Sequence, residues 1–367
     1  MPTLIIKNLP LDLYARLKAQ AKRNSRSLAE ETIELIEREL AETRAETHGP
    51  PSMPLMAERR ELIKDSGLFD REFYLARHGD VAGSIHDPFD HYVWWGADEN
   101  RHPSERFDPS YYAEQCALRG VEPGNRLLHY LTEGKAAGFF TTPIDHALQR
   151  TGMPVFDLVQ KFESWGTDCE FGLVQRRLGA EPNDLFRFSD PTPQVLVNLI
   201  RENFAHYGEN CYVSLDEQQP RREWFIVDHD TRTSRHTRIF EGDMPKENVQ
   251  EVALFWTRLL RAKTAREIAD GQKIYVMKSS RGELTEEAVA EVAKALRSRG
   301  PSWLLWVEAG EPVGHCEIAF DGLLRARIDR VCERGHEYEF SLVGWLQVLC
   351  AAWNSLRNRI PASSPTR

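Results

Sequence analysis

The chain has 367 residues, enough for two or three domains, and its 41% hydrophobic and 28% charged residues are ordinary for a soluble globular protein. A net charge of −9 excludes a general nucleic-acid binder, so any DNA contact must come from a local basic stretch. No run of about 18 apolar residues is present, so no membrane span is expected. The opening LII is too short for a signal-peptide core, and six scattered cysteines without a C-x-x-C pair favour reduced thiols in the cytoplasm over a disulfide framework or a zinc ribbon.

Residues 1–44 are expected to form the first unit. Thr3–Asn8 reads as a short strand, with Leu4 and Ile6 on one face and Thr3, Ile5 and Lys7 on the other. Pro10 ends strand pairing and suits a helix start. Leu13, Leu17 and Ala21 then recur at helical spacing, Asn24-Ser25 marks a turn, and Ser27 to Glu30 reads as a capping box. Ala29, Ile33, Ile36 and Leu40 make the apolar stripe of a second helix. One strand and two short helices cannot bury these faces alone. Two copies can, by pairing strands into a ribbon over four helices.

These residues resemble the ribbon-helix-helix DNA-binding proteins, particularly antitoxin-type repressors of the Arc kind. Ile6-Lys7-Asn8-Leu9-Pro10 and Ala21 to Ser27 carry the resemblance, although Ser25 stands where the family has a turn glycine. The resemblance implies a homodimer that places Thr3, Ile5 and Lys7 against base edges and Arg26 and Ser27 near phosphate. Residues 1–27 hold six Lys or Arg against one acid, Asp12, which suits that role. A dimerisation module that no longer binds DNA is the other reading.

Residues 45–57, with Gly49-Pro50-Pro51-Ser52-Met53-Pro54, read as a linker. Residues 58–143 open with a helix over Glu58–Ser66 and then repeat. Phe69-Asp70 returns as Phe107-Asp108, Phe73-Tyr74 as Tyr111-Tyr112, His91-Tyr92 as His129-Tyr130 and Gly96 as Gly134, always 38 residues later. Such a period predicts stacked helical units. The repeat, over 62–143, resembles a short aromatic repeat of bacterial proteins attached to glycosyltransferases. That resemblance implies a saccharide or protein ligand, with Trp94, Trp95, Tyr111 and Tyr112 as stacking residues. The plainer reading makes the aromatics the glue of the repeat and His91 and His129 packed side chains.

Residues 153–358 look α/β. Strands are expected at Trp224–Val227, Lys273–Met277, Trp303–Glu308 and Glu317–Phe320. Helices are expected at Glu170–Leu178, Pro193–Phe204, Lys246–Ala269, Glu286–Arg299 and Leu342–Arg357. Cys169 falls at a helix start, which favours thiolate. The stretch Ser164 to Glu170 resembles a family of papain-like cysteine peptidases, and this resemblance implies a Cys169–His236 pair, with His229 as the alternative histidine. A buried structural Cys169 is the competing reading. Residues 359–367 are expected to be a disordered tail. No metal or cofactor motif is present.

The fold class is therefore multidomain α+β: a ribbon-helix-helix, a small α-helical aromatic repeat and a C-terminal α/β domain. The expected function is a DNA-binding regulator with appended sensing domains. The alternative is a polysaccharide-metabolism-associated protein with a papain-like Cys–His site that uses its N-terminus only to dimerise.

Overall fold

The computed structural model describes residues 53–361 apart from 83–86, 166–167, 217–220, 279–283 and 334, together with the helical positions Leu17, Gln20 and Thr32. The strand expected at Thr3–Asn8, with the proposed DNA-reading residues, lies outside the described residues. Two units divide the chain, Met1–Asp65 and Ser66–Arg367.

Helix α1 covers Met53–Ser66. It begins earlier than the expected Glu58, because Pro54 falls in the first turn, where no amide hydrogen bond is lost.

The repeat is built from short helices: α2 (Arg71–Arg77), α3 (Gly79–Ala82) and α4 (Pro88–His91) in the first copy, then α5 (Pro109–Leu118) and α6 (Arg126–His129) in the second. Each copy closes in a π-helical turn, Tyr92–Gly96 or Tyr130–Gly134. The two copies make the same contacts. Asp70 and Asp108 cap α2 and α5 through the amides of Phe73 and Tyr111. Their own amides donate to the carbonyls of Pro103 and Thr141, again 38 residues apart. Tyr74 bonds His91 Nδ1 at 3.1 Å, and Tyr112 bonds His129 Nδ1 at 2.5 Å. Gly96 and Gly134 are required for a steric reason: a Cβ at either would overlap the hydroxyl of Tyr74 or Tyr112. Phe69 packs on Tyr74 and Tyr92, as Phe107 does on Tyr112 and Tyr130.

The second copy runs into the α/β part without a break. Tyr111 and Phe140 share a core with α7 (Pro143–Thr151), α8 (Val155–Val159) and the last helix, and the Val343 amide donates to Glu114.

From there the order is β1 (Phe162–Ser164), α9 (Glu170–Arg177), α10 (Pro193–Arg201), β2 (Cys211–Leu215), β3 (Glu223–Asp228), β4 (Ser234–Phe240), α11 (Lys246–Asp270), β5 (Ile274–Lys278), α12 (Glu286–Arg299), β6 (Trp303–Ala309), β7 (Cys316–Phe320), β8 (Leu323–Ile328) and α13 (Leu342–Leu356). The main sheet has the order β1-β5-β6-β8-β7, and all but the edge strand β7 run parallel.

Both faces of this sheet are covered, which explains the unbroken apolar runs of β5 and β6. Ile274, Val276, Leu305, Val307, Leu324 and Ala326 face α7, α8, α9 and α13. Tyr275, Met277, Leu304 and Trp306 alternate onto the other face, against α10, α11 and α12. A second, antiparallel sheet, β2-β3-β4, rests on the first half of α11 through Val213, Ile226, Val249 and Ala253. After α13 the chain turns, and Ile360 packs back on the core, so residues 359–360 are ordered parts of the fold and not tail.

Candidate functional site

Parallel α/β sheets gather their chemistry where strands end in the C-terminal direction. Here β5 ends in Lys278, a lysine 1% exposed at the close of an otherwise apolar strand. Its ammonium lies 2.7 Å from Asp168, 2.5 Å from Glu170 and 3.3 Å from the Cys332 carbonyl. Glu170 is fully buried and accepts two further bonds, from the Cys332 amide at 2.8 Å and the Trp345 indole at 2.7 Å. Asp168 also accepts from the Glu170 amide and so caps α9.

Burial pushes the Lys278 ammonium toward the neutral form, but Glu170 and Asp168 outweigh it, and its pKa is raised. A lysine held charged in this way clamps elements together. It is no neutral amine available for base or Schiff-base chemistry.

Cys169 lies beside this clamp, at the N-terminal end of α9, half-buried. Burial first, and then the carboxylates of Glu337, Asp168, Asp190 and Glu223, push its thiol up to about 12. The helix start favours thiolate, but burial and four acids together outweigh it. His236 sits on β4 with Nδ1 3.0 Å from Glu223, its ring against Phe225. His229 is exposed at the end of β3, beside Tyr212. No hydrogen bond joins Cys169 to either histidine among the described residues. Cys169 is thus set in surroundings that suit a protonated, structural thiol.

In the repeat, Tyr111 and Tyr112 are buried, whereas Trp94 and Trp95 are 39% and 42% exposed. The two tyrosines therefore serve the packing of the repeat, and the tryptophans are the partly exposed pair, in ring contact with each other. Among the described residues no group of three His, Cys, Asp or Glu side chains is placed to hold a metal ion, and no helix is long and apolar enough to cross a membrane.

Sequence reasoning missed Lys278 and Trp345. The one signal for the first was a charged residue ending the apolar run Ile274 to Met277. Trp345 gave none, since its carboxylate partner lies far away in the chain.

Comparison with known families bears on the opposite end of the chain. Residues 2–40 match the family described as antitoxin FitA-like, ribbon-helix-helix. Over these residues the chain is similar to the ribbon-helix-helix antitoxins. The match spans 39 of 367 residues, and it contains Thr3, Ile5, Lys7, Arg26 and Ser27, all outside the described residues. Neither a curated protein nor a solved structure was found to match the chain.

Proposed function

We propose that the protein is a DNA-binding regulator of the antitoxin type, acting in the cytoplasm as a homodimer through residues 1–43. The observation that carries this is the FitA-like ribbon-helix-helix match over residues 2–40. The charge pattern supports it: six basic side chains against one acid in residues 1–27, within a chain of net charge −9. In this reading two strands enter the major groove as a ribbon. Lys7 donates to guanine O6 or N7, Ile5 touches a thymine methyl and Thr3 reads an adjacent edge. Arg26 and the free amides at Ser27 hold phosphate. The remainder of the chain is the appended sensing part, and Cys169 keeps a structural role there.

The test is selection of bound sequences from random duplexes by the full-length protein. A two-fold related site recovered by the full chain, and lost on deleting residues 1–44, supports the proposal. Recovery of no sequence preference overturns it.

A further inference from the structure

We propose that the cleft between β4 and α11 binds a small anion with an apolar body, held by Arg235. This site is separate from the DNA reading and stands whether or not that reading holds.

Arg235 reaches from β4 to α11, where one guanidinium nitrogen donates to Thr257 Oγ1 at 2.9 Å. Its Nε is buried and makes no hydrogen bond. Among the described residues no carboxylate pairs with it. The two ionisable groups whose charge would reach it are Tyr207 and Cys211, and burial pushes both up to about 12, so both are neutral at pH 7. Arg235 as a whole is only partly exposed, and a cation so poorly hydrated and without a counter-charge is costly unless something negative visits it.

The other basic side chains lining the cleft are already engaged. His236 is bonded to Glu223, and Arg238 lies 3.4 Å from Glu181. Arg235 therefore holds the unanswered positive charge of the cleft. Ile239, Val252, Leu260 and the half-exposed Trp256 line the same cleft with apolar surface. The volume is about 190 Å³, against about 30 Å³ for one water. That accommodates a carboxylate or phosphate with a ring-sized body. A guanidinium fork matches either headgroup.

The test uses full-length protein and isothermal titration at pH 7 with benzoate, phenyl phosphate and the neutral benzyl alcohol. Saturable one-to-one binding of at least one anion is expected, with benzyl alcohol at least tenfold weaker, as loss of a charge-assisted bond implies. The preferred anion tells carboxylate from phosphate. Arg235→Met should weaken that anion at least tenfold while melting no lower than the parent, because it removes a partly buried charge that no carboxylate answers. Trp256→Ala, at the exposed rim, should weaken it several-fold. The proposal fails if neither anion binds saturably, if Arg235→Met binds equally, if Arg235→Met unfolds, showing the guanidinium to be a structural group, or if Trp256→Ala leaves binding unchanged.

Discussion

The Lys278 ammonium lies 2.7 Å from the Asp168 carboxylate, tying the end of β5 to the residues that start α9. Glu170 closes the same cluster from the first turn of α9, and Trp345 joins it to α13. Lys278→Ala leaves two carboxylates buried without their cation, and should lower unfolding free energy by about 3–5 kcal/mol in urea titration. The wild-type contribution has a defined pH window. Because the folded pKa is raised above the ordinary 10.5, the stabilisation is complete below that value and is lost as pH rises through the folded pKa. Stability should therefore fall on the alkaline side, and less steeply in Lys278→Ala.

A second cluster loses stability in the same direction, as pH rises, but in a lower pH window. Lys263 lies 3.1 Å from Glu163, 3.1 Å from Asp184 and 3.2 Å from Glu267. One cation faces three acids, so Glu163, by burial first and then by Asp184 and Glu267, is held well above the ordinary 4.5. Its protonated form is the stable one in the fold. That stability is present below pH 4.5 and is lost as pH rises through the raised value. Glu163→Gln mimics the protonated acid. It should cost under about 1 kcal/mol at pH 7 and flatten the decline of melting temperature with rising pH.

The repeat makes a steric prediction. Gly134→Ala drives a methyl into the Tyr112 hydroxyl, and should destabilise by about 1–3 kcal/mol, the usual cost of overpacking. Adding Tyr112→Phe removes the obstructing oxygen. The double variant should recover part of the loss, which a double-mutant cycle in chemical denaturation would measure.

Cys169 should behave as an unreactive thiol. With its pKa pushed to about 12, native protein at pH 7 should be alkylated by iodoacetamide at Cys169 slowly, no faster than at Cys316, which burial also pushes to about 12. Rapid selective labelling of Cys169, followed by peptide mass spectrometry, would restore the nucleophile reading.

Much of the fold was legible where patterns were local. The bounds of α12 are those expected from sequence, and α9 and β6 differ from expectation by one residue at one end. The 38-residue period announced contacts that the structure repeats at the caps, the Tyr–His bonds and the glycines. Four strands were missed for physical reasons. β1 has three residues, too few for any period to show. β8 reads LLRARI, and Arg325 breaks its apolar run because it bonds Glu308 and lies over Trp306. β2 and β4 belong to a small sheet with one buried side, and polar residues dominate β4. The separation of repeat from α/β part was also illegible, because Tyr111 and Phe140 look like repeat residues yet pack in the shared core. The site was least legible of all. Helix position singled out Cys169, but Glu337, Asp190 and Glu223 reach it from distant segments, and no local pattern reveals that. The free charge of Arg235 was equally hidden, since it depends on which acids do not arrive.

The proposed amino-terminal ribbon predicts dimerisation. Size-exclusion with light scattering should give twice the 42.2 kDa chain mass, and deletion of residues 1–44 should give a monomer. A monomeric full-length chain would contradict the ribbon.

The most direct measurement is DNA affinity across a salt series, for the parent and for Lys7→Ala, on the selected duplex. Ribbon docking with phosphate and base contacts predicts a steep linear fall of log affinity with log salt, and a loss in Lys7→Ala of about 1–3 kcal/mol confined to specific duplex. A shallow salt response, with Lys7→Ala indistinguishable from the parent, would contradict the account.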